Sequence, residues 1–209
     1  MSIEQAIFLS ELEHRVRNDL QGIASLARSE RRRSDSEASR TGFERIERRV
    51  SVLAALYEHL LDTGAIGEIE FSDYLRNVCT ALAGAADMSR REIVLSADLE
   101  DLRLDVARAV QLATATTELV CNAAKHAFGR GQPGTITVAL RRGRPGPSTL
   151  TIEDDGDGFG EPEQRQPGRG RGLELARRIV SQAGGQLSRI EGSGTTWRIV
   201  LHASSPAAL

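Results

Sequence analysis

Aromatic residues are scarce in this chain, at 4% of 209 residues. That scarcity removes the stacking platform on which single-stranded nucleic acid would lie. Net charge is nearly absent too, at −2 by formal count, so no strong field draws the chain to a polyanion. The arginine runs Arg31-Arg32-Arg33 and Arg141-Arg142 read as solvated faces. Cysteine occurs twice, as Cys79 and Cys121, with no Cys-x-x-Cys spacing. Both fall in apolar helical patterns, which suits buried, reduced thiols in a reducing compartment. No apolar stretch nears the roughly 18 residues that a membrane span needs. The N-terminus lacks a basic segment followed by an apolar run, so no signal peptide is expected. The expectation is a soluble, cytoplasmic chain with neither nucleic acid nor membrane as a partner. Lysine is the scarcest charge of all: Lys125 stands alone among 26 arginines.

What is abundant is periodicity, and hydrophobic residues at 40% can supply a packed core. Residues 3–33 form one long amphipathic helix, with Leu9, Leu12, Val16, Leu20, Ile23 and Ala27 stepping by three or four. At about 100° per residue, His14 falls roughly 150° from the centre of that stripe. It shares the polar face with Asn18, one turn on. "SDSEASRTG" then breaks the pattern. In a second helix Phe43, Ile46, Val50, Leu53, Tyr57 and Leu60 form a coiled-coil-like seam. Two such helices joined by a short polar loop make an antiparallel hairpin. A hairpin buries little alone. A second copy would complete a four-helix bundle, and docking on the chain's own second domain is the competing solution.

"DTGAIGEIE", residues 62–70, reads as a connector. Beyond it, Ser72 caps a helix running to about Gly84, and "REIVLSAD" is a strand. Asp105 starts a helix that carries through to Gly129. "GTITVALRR" and "STLTIED" are alternating strands, "GRGLELARRIVSQAGG" is a helix, and "GQLSRIEG" and "TTWRIVLH" are further strands. The class is α+β: a helical hairpin at 1–63, an α/β sandwich with a mixed sheet at 64–203, and a loose tail at 204–209.

Three patches of the second part can carry chemistry. In "TELVCNAAKHAFG", Glu118, Asn122 and Lys125 share a helix face with His126 beside it. An amide oxygen, a carboxylate and a cation there suit a Mg²⁺–phosphate group, with Asn122 as the Mg²⁺ ligand. A plain polar outer face is the alternative. In "IEDDGDGFG", Asp154, Gly156 and Gly158 form D-x-G-x-G directly after a strand. A carboxylate at a strand end can accept from an exocyclic amine, and glycines let backbone approach a planar ring. An ordinary Asp-Gly turn is the alternative. A calcium loop is excluded, because the first ligand would be Glu153 and the twelfth Gln164, after a strand rather than a helix. "GRGRGLELA", Gly168 to Ala176, opens a helix whose Gly-rich N-terminus can hold phosphate, or it is a flexible linker. It is neither a Walker loop nor a dinucleotide fingerprint. "GSGTT", residues 192–196, reads as a hairpin turn closing on the same place.

Taken in order, these patches resemble the sensor histidine kinases from about residue 7 to residue 202. "ELVCNAAKHAF" resembles the Asn-rich box of the ATP-binding domain shared by histidine kinases, Hsp90, gyrase B and MutL. "DDGDG" and "GRGRGL" resemble its two Gly boxes, and "GSGTT" its final Gly-Thr box. "EHRVRNDLQ" resembles the His-Arg-Val-Lys-Asn phosphoacceptor signature of one bacterial two-component subfamily. The resemblance implies ATP and Mg²⁺ as cofactors, and a protein histidine kinase that phosphorylates itself on His14. The phosphoryl group would then pass to an aspartate of a response regulator receiver domain.

By position, Asn122 would ligate Mg²⁺, and Glu118 would orient or deprotonate the His14 imidazole. Lys125 and His126 would contact phosphates, and Asp154 the adenine amine. Gly156, Gly158, Gly170, Gly172, Leu173 and Thr195 would shape the pocket and its lid. Asn18 would sit where related kinases position water for hydrolysis of a regulator's phosphoaspartate. An imidazole of ordinary pKa, about 6.5, is largely neutral at pH 7 and so able to attack.

Arg17 stands for the signature's Lys, Asp19 for an Asn, and Asp155 for the Asn usual after the first Asp. The lid candidate between Gly160 and Gly168 is short, "EPEQRQP". Only 13 residues precede His14, so no sensor domain is expected in this chain, and input would come in trans. A homodimer through the hairpin is expected. The rival function is a histidine phosphotransferase relay that uses the kinase fold without ATP, although such proteins typically lose the boxes retained here.

Overall fold

Two kinds of periodicity divide the chain, and the structure divides with them. The computed structural model describes residues 3–63, 67–85, 88, 92–129, 132–158 and 170–202, with side chains from residue 16 on, those of 17, 60–63, 85 and 170–171 excepted. The predicted tail at 204–209 and the lid candidate lie outside the described residues. The chain forms two units, Met1–Gly67 and Glu68–Leu209.

In the first unit, helix α1 (Ile3–Arg33) is followed by helix α2 (Glu37–Thr63). The connection is only residues 34–36, and α1 and α2 pack along each other, so the chain reverses there. Arg28 Nε meets Glu47 Oε1 at 2.8 Å, as antiparallel neighbours should. Helix α2 begins well before Phe43, where the Ser, Asp and Gly content of "SDSEASRTG" suggested a longer loop. Ser36 supplies the cap that composition concealed: its Oγ accepts from the Ser39 N–H at 3.4 Å, and its carbonyl from the Arg40 N–H at 3.0 Å. Gly42 then sits within the helix with open space around it.

Within one chain the predicted seam is only partly covered. Val50 is buried, but Ile46 and Tyr57 are 44% and 41% exposed, and Ile23 on α1 is 48% exposed. Val52, Ala55, Leu56 and His59, roughly 140° round α2, are buried instead. Helix α2 is apolar on two sides, and a search for one stripe settles on the larger side chains.

In the second unit, β1 (Glu68–Glu70) pairs antiparallel with β3 (Arg103–Asp105), with Ile69 opposite Leu104. Strands of three residues are too short for alternation to reveal, so the sequence pattern hides both. Helix α3 (Phe71–Ala85) starts here, and Ser72 is not its cap. Ser72 is buried, and its Oγ donates to Glu70 Oε1 at 3.2 Å; Glu70 in turn accepts from the Leu102 N–H at 2.7 Å. Phe71, Tyr74 and Leu75 are fully buried on α3. Cys79 and Cys121 are free and buried, and burial pushes the Cys79 thiol up to about 12.

A five-stranded sheet carries the rest, in the order β2 (Ile93–Leu99), β4 (Gly134–Arg141), β5 (Ser148–Asp154), β7 (Thr195–Leu201), β6 (Gly185–Ile190). Only the β2–β4 pair is parallel, and the sheet is therefore mixed. Helix α3, helix α4 (Val106–His126) and helix α5 (Gly170–Gln182) pack on it. The core rows alternate as a half-covered sheet requires: Ile136, Val138 and Leu140; Leu150 and Ile152; Trp197, Ile199 and Leu201 are all buried. Asp105 caps α4, its Oδ1 accepting from the Arg108 N–H at 2.9 Å. The predicted cap is thus present, and the helix ends at His126 rather than at Gly129.

Candidate functional site

Helix α4 runs through the middle of this layer, so most of its surface is apolar and buried. Its polar residues therefore stand out. Glu118 is 3% exposed, a carboxylate inside the helix layer. Asn122, one turn on, is half-buried, while Lys125 and His126 in the last turn are exposed. Two basic residues at a helix C-terminus also complement its dipole.

Strand β5 brings the second element. Its core-facing row runs Leu150, Ile152, Asp154, so the period of two that buries two aliphatic residues also buries a carboxylate. A buried carboxylate must be supplied with donors. Asp154 Oδ1 accepts from the Thr195 N–H at 3.2 Å and from the Gly156 N–H at 3.4 Å. Burial raises the Asp154 pKa above the usual carboxylate range, the Thr195 and Gly156 N–H groups oppose that rise, and the nearby Asp155 charge adds to it.

The loop after Asp154 is held on three sides. The Asp155 N–H donates to the Thr135 carbonyl at 3.2 Å, and the Asp157 N–H to the Ala127 carbonyl at 2.9 Å. A β-carbon at Gly156 would overlap that same Ala127 carbonyl, and one at Gly194 would overlap the Asp154 carbonyl. Gly158 has φ +74°, a left-handed conformation that glycine adopts without penalty.

These elements form an open cleft lined by Asn122, Ala123, His126, Ala127, Asp154, Gly158, Thr195 and Trp197. The structure thus brings Asn122, His126, Asp154, Gly158 and Thr195 together, across 73 residues of sequence. Gly156 lies behind the wall, against Ala127. Glu118 and Lys125 do not line the cleft. A β-carbon at Gly172, in the first turn of α5, would stand 3.4 Å from Glu118 Oε2 and 3.5 Å from Asn122 Oδ1. The N-terminus of α5, opened by Gly170, therefore abuts the polar face of α4, and Leu173 beside it is half-buried. Sequence reasoning missed Trp197 and the two alanines. Trp197 was recoverable, because it lies two residues from Thr195 on one strand and so on the same side.

In the first unit Asn18 is exposed on α1. His14 belongs to the same helix, and its side chain lies outside the described residues.

A buried acceptor at the end of a walled cleft, with an amide and an imidazole at its helix side, suits a planar heterocycle that carries an anionic tail. Among the described residues no group of three or more His, Cys, Asp or Glu side chains forms a metal cage. Asn122 Oδ1, on the cleft wall and next to Gly172, offers a hard oxygen donor of the kind Mg²⁺ takes when most of its other ligands are water and phosphate. No helix among the described residues is long and apolar enough to cross a membrane.

Known proteins resemble this chain in sequence and in fold. Residues 11–86 match the family described as histidine kinase, and residues 107–205 the histidine kinase-, DNA gyrase B- and HSP90-like ATPases. Sensor histidine kinase PdtaS from Mycobacterium tuberculosis is 30% identical over 136 residues, 64% of this chain and 26% of that protein. Blue-light-activated histidine kinase 2 from Erythrobacter litoralis is 27% identical over 132 residues, 61% of this chain and 37% of that protein. The chain thus corresponds to about a quarter to just over a third of these relatives. Among solved structures, the histidine kinase domain of an Erythrobacter litoralis blue-light activated histidine kinase shares the fold, with a TM-score of 0.65 at 21% identity, covering 87% of this chain and 95% of that one.

Proposed function

We propose that this chain, which belongs to the histidine kinases, takes the γ-phosphoryl group of ATP onto His14 and passes it to an aspartate of a response regulator receiver domain. The observation that carries the proposal is the Asp154 carboxylate, buried in the core-facing row of β5 and lining one cleft with Asn122 and His126. Asp154 accepts from the exocyclic amine of adenine, while the Trp197 and Ala123 walls exclude water from the base. Asn122 and His126 face the phosphates, and the α5 N-terminus supplies backbone N–H groups on the same side.

Asn122 would hold Mg²⁺ together with the phosphates, and the ion would neutralise charge on the transferring group. The transfer itself asks for placement and charge compensation more than for covalent help from the protein. Glu118 takes or orients the proton of the His14 imidazole, leaving the other ring nitrogen free to attack phosphorus. The bond from phosphorus to the β–γ bridging oxygen breaks, and ADP leaves. Asn18, exposed on α1 one turn from His14, would orient water for hydrolysis of a regulator's phosphoaspartate. The exposed Ile23, Leu26, Ile46 and Tyr57 support a homodimer through the hairpin.

The test is incubation with Mg²⁺ and γ-labelled ATP of the wild type, His14→Ala and Asn122→Ala. Acid-labile label on the wild type, lost in both variants, is the expected result. Absence of both label and nucleotide binding in the wild type would sink the kinase and leave a phosphotransferase that uses this fold without ATP.

A further inference from the structure

Asp155 has no place in the cleft, yet its side chain makes a contact at the end of the strand that carries Asp154. The β4–β5 ladder pairs Ile136 with Asp154, and the next pair in register is Thr135 with Asp155. Half of that pair is ordinary: the Asp155 N–H donates to the Thr135 carbonyl at 3.2 Å. The other half is not. The Thr135 N–H donates to Asp155 Oδ1 at 2.6 Å, so a side-chain oxygen takes the position that the Asp155 main-chain carbonyl would hold in a continuing ladder. The ladder closes there, and the main chain is released to turn out of the sheet. The turn leads at once to Gly156, packed on the Ala127 carbonyl, and to the Asp157 N–H bond with that carbonyl at 2.9 Å. Gly156 is also one of the two main-chain donors to Asp154 Oδ1.

We propose that Asp155 is a positioning residue for nucleobase recognition: its carboxylate fastens the end of β5 to Thr135 and thereby sets the Asp154 carboxylate in the cleft. This rests on Asp154 being the acceptor for the adenine amine, as proposed above. The fastening needs an acceptor oxygen on a two-bond tether, not a negative charge. Asparagine therefore satisfies it and alanine does not.

The experiment is calorimetric titration of the whole chain with ATP and with inosine triphosphate, which carries a keto oxygen in place of the adenine amine. Wild type, Asp155→Asn and Asp155→Ala are compared, with amide exchange followed at Thr135. The expected outcome is about a tenfold loss of ATP affinity in Asp155→Ala, as for a lost bond to a charged group. Inosine triphosphate affinity changes little, so the preference for adenine narrows. Exchange at Thr135 quickens in Asp155→Ala only, and Asp155→Asn keeps the wild-type preference. An alanine variant with wild-type base preference would overturn the proposal, as would one that loses both nucleotides equally. A wild type that binds neither nucleotide would overturn the ATP reading itself, and this proposal with it.

Discussion

The Asp154 carboxylate and the Thr195 N–H meet at 3.2 Å at the ends of neighbouring antiparallel strands, β5 and β7. The contact spans 41 residues of chain and places one buried charge on the floor of the cleft.

Replacing Asp154 with Asn separates function from stability. The amide still accepts from Thr195 and Gly156, but its other end donates, facing the adenine amine with a like partner. ATP affinity should fall at least about tenfold. Stability should move the other way at pH 7. Burial raises the Asp154 pKa above its unfolded value, so the native state holds the extra proton between the two values, and wild-type stability falls as pH rises through that window. Asp154→Asn lacks this loss. Its melting temperature should exceed the wild type's at pH 7, with the advantage shrinking as acid protonates Asp154. Thermal melts from pH 7 to pH 3 check this, and a variant less stable than wild type at pH 7 speaks against it.

Glycines at the cleft should differ sharply from glycines in helices. Gly194→Ala and Gly156→Ala drive a β-carbon into the backbone carbonyls of Asp154 and Ala127, and each should destabilise by about 1–3 kcal/mol. Gly84 in α3 has nothing within 4 Å of the site where a β-carbon would stand. Gly84→Ala should stabilise by about 1 kcal/mol through helix propensity alone. Urea denaturation of the three variants gives the comparison.

Glu118→Gln should separate binding from chemistry. The side chain is buried beside Gly172 and does not line the cleft, so nucleotide affinity should stay within about twofold while labelling of His14 falls by about 10²-fold or more. Single-turnover labelling at saturating ATP measures the second quantity free of the first.

Trp197 is the chain's single tryptophan and lines the cleft. Its fluorescence should change on ATP addition and saturate with the affinity found by calorimetry. A spectrum unmoved by saturating ATP would place the base elsewhere.

The hairpin dimer predicts a solution mass twice the 22.7 kDa of the chain. Ile23→Glu with Ile46→Glu, at positions 48% and 44% exposed, should reduce it to the monomer without unfolding the helices. Light scattering with circular dichroism tests both halves, and a wild-type monomer sinks the dimer.

The sequence by itself determined what local spacing can express. The long helices, the Asp105 cap, the alternating strands β4 and β5 and the four boxes all lie within stretches of a few turns or one strand, where side-chain periodicity is a direct signal. It also set the order of those boxes. Tertiary structure decided which of those residues meet. Asp154 reaches Thr195 only because β5 and β7 are neighbours in one register, and Trp197 joins the cleft for the same reason. Lys125, on the same helix as Asn122, faces solvent outside the cleft, because the lining is set by what packs against α4 and not by spacing along it. The brief strands β1 and β3, the Ser36 cap and the second buried side of α2 were likewise settled by partners distant in sequence or by side-chain geometry that composition does not encode. Local patterns specify faces, and only packing specifies what each face meets.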